Sequence, residues 1–155
     1  MPGRLVIVCG LPGSGKTTLA RVLESARPAV RLCPDDWMAQ LGVDLFDAAT
    51  RDRVEKLQWQ LAQRMLELGA TVIIEWGTWG RAERDALRDG ARALGAAVEL
   101  HLLDPPLDVL WRRVQERDLE RRFGGRALTR GELATWSEAF QRPDAEELAL
   151  FDAAP

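Results

Sequence analysis

The sequence contains no asparagine, no tyrosine and a single histidine. Without asparagine there is no N-K-x-D motif, so a typical GTPase that reads guanine through this motif is disfavoured. The two cysteines and the histidine have no metal-ligand spacing, which argues against a structural zinc site. No apolar run approaches the length that crosses a bilayer, so we expect no membrane segment and no membrane partner.

The chain is also poor in features of secreted or nucleic-acid-binding proteins. Its two cysteines, Cys9 and Cys33, fall in predicted buried strands, where free thiols in a reducing cytosol are the default. The first residues lead straight into a strand, so we expect no signal peptide and a cytoplasmic location. A net charge of −3 argues against a nucleic-acid partner. The 155 residues predict a single domain spanning 1–155, whose oligomeric state is left open.

One stretch dominates what the sequence does contain, and it reads Gly10-Leu11-Pro12-Gly13-Ser14-Gly15-Lys16-Thr17. It fits the spacing G-x-x-x-x-G-K-[ST] of a phosphate-binding loop. Before it, residues 5–9 are apolar and predict a buried strand. After it, apolar residues at 19, 22 and 23 have helical spacing. Strand, glycine loop and helix therefore stand in the order that phosphate binding requires, and ATP is the expected ligand.

The loop residues supply the chemistry that a triphosphate needs. Glycines at 10, 13 and 15 permit positive φ angles and let backbone N–H groups approach an anion closely. Lys16 adds a cation that reaches the β- and γ-phosphates, and Thr17 offers a hydroxyl to Mg²⁺. The predicted nucleotide-binding residues of this segment are Gly10, Gly13, Ser14, Gly15, Lys16, Thr17 and Thr18.

The rest of the chain alternates predicted strands with predicted helices. Further strands are predicted at residues 29–33, 71–74 and 98–103. An aspartate at 35 or 36 is predicted to cap a helix that runs through 38 and 41, and further helices are predicted over 48–68, over 81–94, from 107 and from 129. The long helix carries one apolar stripe, made of Val54, Leu57, Leu61, Met65 and Leu68. Residues 75–80 are predicted as a loop, Gly124-Gly125 as a helix break, and the acidic tail after 143 as weakly structured. The alternation of strands and helices predicts an α/β fold with a parallel sheet.

In parallel sheets of this kind, ligands bind beyond the carboxyl ends of the strands. The second predicted strand ends at Asp35 and Asp36, and the third ends at Glu75. A carboxylate there can orient an acceptor hydroxyl and take its proton. We favour Asp35 as that base and Asp36 as a helix cap or acceptor ligand, although the sequence leaves open which of the two is the base. Glu75 is a candidate for Mg²⁺ or acceptor binding, or else a solvated strand-end charge.

Arginines and tryptophans complete the candidate site. Arg113 and Arg117 lie four residues apart on one helical face, where they either stabilise phosphoryl charge from a lid or form a solvated face paired with glutamates. Three tryptophans follow strand ends, where they either wall an acceptor pocket or pack as core residues. The predicted acceptor-contacting residues are Asp36, Trp37, Glu75, Trp76 and Trp79, and the predicted metal-site residues are Thr17 and Glu75.

Together these motifs resemble the small P-loop kinases of the AAA-33 type, a predicted-kinase family similar to chloramphenicol phosphotransferase, zeta toxins, gluconate kinase and polynucleotide kinase domains. The resemblance rests on residues 10–18, P-D-D-W at 34–37, V-I-I-E at 72–75, R-A-E-R at 81–84, L-D-P-P at 103–106 and the arginines at 113 and 117. It implies a three-layer P-loop NTPase fold with four to five parallel strands in the order 2-3-1-4 and a small helical lid at about 112–130.

The resemblance also implies roles for single residues. Asp35 matches the acceptor-activating aspartate, Arg117 the transition-state lid arginine, and Arg113 the lid arginine nearer the nucleotide base. The catalytic residues are then Asp35, Lys16 and Arg117.

Two departures from polynucleotide kinases bear on the acceptor. Their arginine three residues after the catalytic aspartate is Met38 here, and their third strand ends in aspartate, whereas this chain has Glu75 followed by Trp76. Loss of a cation and gain of indoles favour a neutral or aromatic small molecule, such as an antibiotic or a metabolite alcohol. The sequence thus predicts a MgATP-dependent kinase acting on a small-molecule hydroxyl. A polynucleotide 5′-hydroxyl kinase and a nucleotide-binding switch without an acceptor are the alternatives.

Overall fold

The computed structural model describes residues 1–120 and 126–155. Within these ranges the strands are β1 (Arg4–Gly10), β2 (Val30–Leu32), β3 (Thr71–Gly77) and β4 (Ala97–Leu103). They form one parallel sheet in the order β2-β3-β1-β4, so the predicted order 2-3-1-4 is confirmed. The helices are α1 (Lys16–Ala26), α2 (Pro34–Gln40), α3 (Ala48–Glu67), α4 (Arg81–Ala93), α5 (Leu107–Glu120), α6 (Arg130–Ala139) and α7 (Ala145–Leu148).

Apolar side chains fill both faces of the sheet. Because successive strand residues point to opposite faces, β1 contributes Val6 and Val8 to one side and Leu5 and Ile7 to the other. The first side packs against Ala20 of α1. The second side packs against α3 and α4 through Ala62, Leu66, Leu87 and Ala91. Helices thus cover both faces of the sheet, which confirms the predicted three-layer α/β fold.

The third strand runs further than predicted. Residues 75–77, predicted as the start of a loop, are its last three residues. They continue the strand because Gly77 aligns with Cys9 of β1 after a shift in register beyond Ile7. Glu75 is therefore fixed by the sheet and is only 7% exposed, so it is not a solvated strand-end charge.

The long helix α3 buries a different face from the predicted one. Three of the predicted core residues are largely exposed, namely Leu57 at 56%, Leu61 at 42% and Leu68 at 83%. The buried residues of the helix are Val54, Gln58, Ala62 and Leu66. Gln58 faces inward because its Oε1 accepts a hydrogen bond from Nε1 of Trp76 at 2.9 Å. Hydrophobic spacing cannot report a polar contact of this kind.

Neither aspartate after β2 caps the next helix. The N-cap of α2 is Cys33, and Pro34 lies in its first turn. Proline is tolerated there because a backbone N–H in the first turn has no hydrogen-bond partner within the helix. Asp35 and Asp36 follow within the first turn, where the helix dipole favours negative charge. Their carboxylates are therefore available to other partners.

The acidic C-terminal segment is part of the fold, so the prediction of a weakly structured tail is wrong. Glu147 of α7 is buried against Arg84 of α4, whose Nε donates to Glu147 Oε1 at 2.7 Å. Arg84 also donates to the carbonyls of Thr78 and Gln141, at 2.8 and 2.5 Å. Thr78 has a positive φ of 54° directly after β3. The buried guanidinium thus ties the tail to the turn that follows the third strand.

The structure describes the two ends of the predicted lid. Thr129 and Glu132 form a capping box at the start of α6, where a helix is predicted. The predicted break at Gly124-Gly125, in the middle of the predicted lid at about 112–130, lies outside the described residues. Among the helices in the described part of the chain, none is long and apolar enough to span a membrane.

Removing the Glu147 carboxylate should weaken the fold, because it leaves the Arg84 guanidinium buried without its counter-charge. We expect Glu147→Ala to lower the free energy of unfolding by about 3 kcal/mol, measured by urea denaturation. Glu146→Ala, at an exposed position on the same helix, is the control and should change this free energy by less than about 0.5 kcal/mol. Equal losses in the two variants would contradict the role given to the buried pair.

Candidate active site

The phosphate loop connects the end of β1 to the start of α1. Gly13 and Gly15 have φ angles of 82° and 96°, a left-handed conformation that other residues rarely adopt. Gly10 differs from the prediction, because its φ angle is not positive. A side chain at Gly10 would instead collide, since its Cβ would lie 2.5 Å from Ser14 Oγ and 2.7 Å from the Leu103 carbonyl oxygen. The loop is therefore a backbone cradle that β4 closes on one side.

Polar groups inside the cradle fit a bound phosphate. Ser14 is buried, and its Oγ has no hydrogen-bond partner among the described residues. Lys16 Nζ donates to the Leu11 carbonyl at 3.0 Å, within the loop. Burial lowers the pKa of Lys16, and the charges of Glu75 and Asp35 oppose that shift. A buried hydroxyl without a partner and a desolvated ammonium are groups that phosphate oxygens would satisfy.

A cavity of about 510 Å³ opens beside the loop. Arg113 of α5 borders it, with Nη1 at 3.3 Å from the Gly13 carbonyl oxygen and 3.4 Å from that of Ser14. The remaining lining residues are Ser14, Gly15, Thr18, Leu19, Val22 and Leu103. Apolar walls beside a planar guanidinium suit the flat ring of a nucleotide base. The predicted nucleotide-side residues Arg113 and Thr18 therefore meet at one cavity.

Glu75 is the most constrained carboxylate at this edge of the sheet. Its Oε1 accepts a hydrogen bond from Thr17 Oγ1, and its Oε2 accepts one from Arg31 Nη1 at 2.7 Å. Because the hydroxyl proton of Thr17 points to Glu75, the lone pairs of Thr17 Oγ1 are left for a cation. The pair fits a Mg²⁺ site in which Thr17 is a ligand and Glu75 orients it. With both oxygens engaged by donors, Glu75 suits this task better than contact with an acceptor.

Arg31 is a site residue that the sequence analysis missed. It lies in the middle of β2, its side chain is 10% exposed, and its guanidinium bridges Glu75 of β3 and Asp36 of α2. Burial alone would lower the pKa of Arg31, but the hydrogen bond to Glu75 and the charges of Glu75 and Asp36 outweigh burial and raise it. An arginine inside a short strand that precedes an acidic strand end is the signal that could have found it.

Asp35 lies between the phosphate loop and α3. Its charge helps to hold up the pKa of Lys16, against the stronger effect of burial, and its Oδ1 is 2.5 Å from Nη1 of Arg51. Arg51 Nη2 donates to the Leu45 carbonyl at 2.9 Å, which holds the guanidinium between α2 and the loop before α3. Asp36 is held instead by the bridging arginine of β2. The two aspartates thus have separate partners, and Asp35 is the one coupled to the phosphate loop.

The three tryptophans near the strand ends are half-buried. Trp79 Nε1 donates to the Gly10 carbonyl at 3.2 Å, and its ring packs against Trp136 of α6 with the ring centroids 5.7 Å apart. Trp37 and Trp76 pack against the core cluster between the sheet and α3. These contacts favour a packing role for Trp79, while an acceptor role for Trp37 and Trp76 stays a prediction.

Arg117, the predicted transition-state arginine, lies one helical turn beyond Arg113 on α5. Its Nε is 3.9 Å from Oδ1 of Asp118. Arg126, which follows the undescribed residues, lies over the ring of Phe46 at 3.5 Å from the ring centroid. The end of the predicted lid therefore contacts the loop before α3, which also carries the carbonyl that binds Arg51.

Glu55 of α3, whose carboxyl interacts with the charges of Arg51 and Asp35, has a raised pKa. Burial, with the charge of Glu83 as the second cause, raises the pKa of Glu55 to about 7, and Arg51 opposes the shift. Glu83 of α4 also has a raised pKa, mainly because of burial. At neutral pH Glu55 is therefore only partly ionised, whereas an ordinary glutamate would be fully ionised.

Comparison with known proteins agrees with the fold. The family model AAA_33, described as an AAA domain, matches residues 5–143, from β1 to the segment before α7. A search of curated proteins finds no match.

Solved structures that match the chain include kinases. A chain of the Pnkp1/Rnl/Hen1 RNA repair complex has a TM-score of 0.77 at 22% identity, over 90% of this chain and 44% of that chain. A gluconokinase from Sinorhizobium meliloti 1021 has a TM-score of 0.59 at 19% identity, over 96% of this chain and 89% of that chain. The APS kinase CysC of Mycobacterium tuberculosis, in complex with AMPPNP and APS, has a TM-score of 0.60 at 25% identity, over 79% of this chain and 75% of that chain. The present chain thus spans less than half of the length of the RNA repair chain.

Glu55 should make the protein less stable as pH rises. The folded state keeps a proton that the unfolded chain, with a carboxyl pKa of 4.5, has released, so stability falls between about pH 4.5 and 7. After an allowance for solvent screening, we expect Glu55→Gln to exceed the wild type in free energy of unfolding by about 1 kcal/mol at pH 8, and by little at pH 5. Urea denaturation at both pH values measures this difference.

Glu67→Gln, at an exposed position on the same helix, serves as the control for this pH dependence. Its free energy of unfolding should change between the two pH values by the same amount as that of the wild type. A wild type that gains stability over that window relative to the Glu55→Gln variant would contradict the raised pKa.

Proposed function

The chain belongs to the AAA_33 family of AAA domains, a kinase-like group of P-loop NTPases, and on this basis we propose that it is an ATP-dependent phosphotransferase. The proposed donor is MgATP, and the proposed acceptor is a hydroxyl group of a small molecule. One observation carries the proposal, namely that the first turn of α2, beyond the end of β2, places Asp35 close enough to the phosphate loop for its charge to oppose the lowering of the Lys16 pKa by burial. A nucleotide-binding switch has no need of a carboxylate at that place.

On the donor side, the loop N–H groups and Lys16 would hold the triphosphate, and Arg113 would border the base. Mg²⁺, when bound, neutralises phosphate charge and helps to align the transferred group. Thr17 would be its protein ligand, and Glu75 would orient the Thr17 hydroxyl by accepting its hydrogen bond. In this proposal Arg117 adds positive charge beside the equatorial oxygens of the transferred phosphoryl group.

On the acceptor side, Asp35 is the proposed general base. It takes the proton of the acceptor hydroxyl as the new P–O bond forms and the bond from the γ-phosphorus to the bridging oxygen of ADP breaks. Arg51 holds the Asp35 carboxylate from α3 and so orients it. Asp36 is a poorer base, because its charge is not among the main ones that act on Lys16 of the phosphate loop.

The structural neighbours support two classes of acceptor. A gluconokinase and an APS kinase favour a small molecule. The RNA repair neighbour, which has the higher TM-score, favours a second candidate, a polynucleotide 5′-hydroxyl kinase. We rank it second because a net charge of −3 provides little attraction for a polyanion.

We propose a reducing cytosol as the location, since both cysteines are buried free thiols.

Transfer of labelled phosphate from ATP to a panel of hydroxyl compounds tests the proposal. The panel contains sugars, sugar phosphates, amino alcohols, hydroxyl-bearing antibiotics and a 5′-hydroxyl oligonucleotide. We expect a small molecule to be labelled. Labelling of the oligonucleotide alone would favour the second candidate, and slow ATP hydrolysis without a labelled product would favour a switch.

Asp35→Asn should slow transfer by about 10³-fold, because an amide cannot take the proton of the acceptor hydroxyl. Binding of ATP should change by less than about twofold, since Asp35 lies outside the phosphate loop. Asp36→Asn is the matched control and should slow transfer far less. Initial rates measure transfer, and titration with a fluorescent ATP analogue measures binding. Transfer at the wild-type rate in the Asp35→Asn variant would exclude Asp35 as the base.

A further inference from the structure

We infer that Arg51 binds an anionic group of the acceptor, so that the acceptor is an alcohol carrying a phosphate or a carboxylate near the hydroxyl that it offers. This inference deepens the proposed function and rests on it for the role of Asp35 as base. It concerns the substrate class, which the phosphate loop and the family leave open.

The guanidinium of Arg51 is held next to the proposed base by contacts with two different segments. Its Nη1 is 2.5 Å from Asp35 Oδ1 in the first turn of α2, and its Nη2 donates to the Leu45 carbonyl at 2.9 Å. The Arg51 side chain is 26% exposed, and the Asp35 side chain is 41% exposed. The guanidinium is therefore both preorganised and accessible, as recognition of a small anion requires.

The other cations at this edge of the sheet have different tasks. Arg31 is 10% exposed and bridges Glu75 and Asp36. Lys16 donates into the phosphate loop, where the triphosphate would lie. Arg51 is thus the accessible basic side chain that contacts Asp35 in the described part of the site.

The structure bears on one of the two reasons for expecting a neutral acceptor, the loss of a cation. That reason depended on Met38, which stands where polynucleotide kinases carry an arginine, and Met38 is fully buried. Arg51 nevertheless brings a cation to the carboxylate of Asp35 from another helix. Because burial raises the pKa of Glu55 to about 7, this neighbouring carboxyl is only partly ionised at neutral pH and opposes the Arg51 charge less than an ordinary glutamate would.

The geometry limits the kind of molecule that fits. The N–H groups of a guanidinium match the oxygens of phosphate and carboxylate groups in direction and charge. Since Arg51 contacts Asp35, the anion and the reacting hydroxyl of the acceptor must lie within roughly 5 to 8 Å of each other, counted over hydrogen-bond lengths. A sugar phosphate, a sugar acid or another small hydroxy acid meets this condition.

Direct binding tests the inference without requiring catalysis. With the nucleotide site filled by Mg²⁺ and a non-hydrolysable ATP analogue, calorimetry measures the binding of paired probes. The pairs are glycerol with glycerol 3-phosphate, glucose with glucose 6-phosphate, and glucose with gluconate. We expect the wild-type protein to bind at least one anionic probe about tenfold more tightly than its neutral partner. Equal affinity within every pair would overturn the inference.

Variants at α3 then assign the preference to Arg51. Arg51→Met should abolish it, and Arg51→Lys should restore part of it, because lysine keeps the charge but loses the planar fork. Arg53→Met, at an exposed position on the same helix, is the matched control and should leave the preference intact. Retention of the preference in Arg51→Met, or its equal loss in Arg53→Met, would overturn the inference.

Failure of this inference and failure of the proposed kinase activity have different signatures. An anion preference that Arg51→Met removes, without transfer to any probe, would support the inference and count against the kinase. Transfer to neutral and anionic probes with equal kcat/KM would support the kinase and overturn the inference. A lower kcat with both probes and an unchanged ratio of KM values in Arg51→Met would reduce Arg51 to a positioning residue for Asp35, which also overturns it.

Discussion

The contact on which the rest of the site depends is the hydrogen bonding of the buried carboxylate of Glu75. The last residues of β3 place this side chain between Thr17, at the start of α1, and Arg31, in the middle of β2. A buried carboxylate is stable only when donors surround it, so the three elements are held in one arrangement. The phosphate loop, the hydroxyl suited to a cation and the second strand thereby share a common reference point.

From Glu75 the charged side chains continue toward the proposed acceptor side as separate ion pairs. Arg31 extends from Glu75 to Asp36, while Asp35 is held by Arg51 from α3. Adjacent aspartates therefore have different environments, which is how one of them can be reserved for chemistry. The loop before α3 carries the carbonyl that binds Arg51, and its Phe46 contacts Arg126, at the end of the predicted lid, so this loop connects the proposed donor and acceptor sides.

Several errors of the sequence analysis have one physical cause. Leu57 and Leu61 satisfied the helical spacing of α3 but are exposed, because Gln58 is held inward by the indole of Trp76. The acidic tail was expected to be weakly structured, but Glu147 is buried as the partner of an arginine. Buried polar pairs do not produce a hydrophobic period, so pattern analysis assigns their members to the surface. Arg31 was missed for the same reason.

Local sequence was enough to specify the nucleotide side of this protein. The spacing of glycines, Lys16 and Thr17 between a strand and a helix acts through backbone geometry and the order of neighbouring elements, both of which are written locally. The alternation of strands and helices likewise specified a parallel sheet, and the family resemblance supplied its strand order. Which charges meet was settled by packing: Glu75 with Arg31, and Asp35 with Arg51. These partners are distant in the chain and come together only because strand order and helix packing bring their elements to one edge of the sheet.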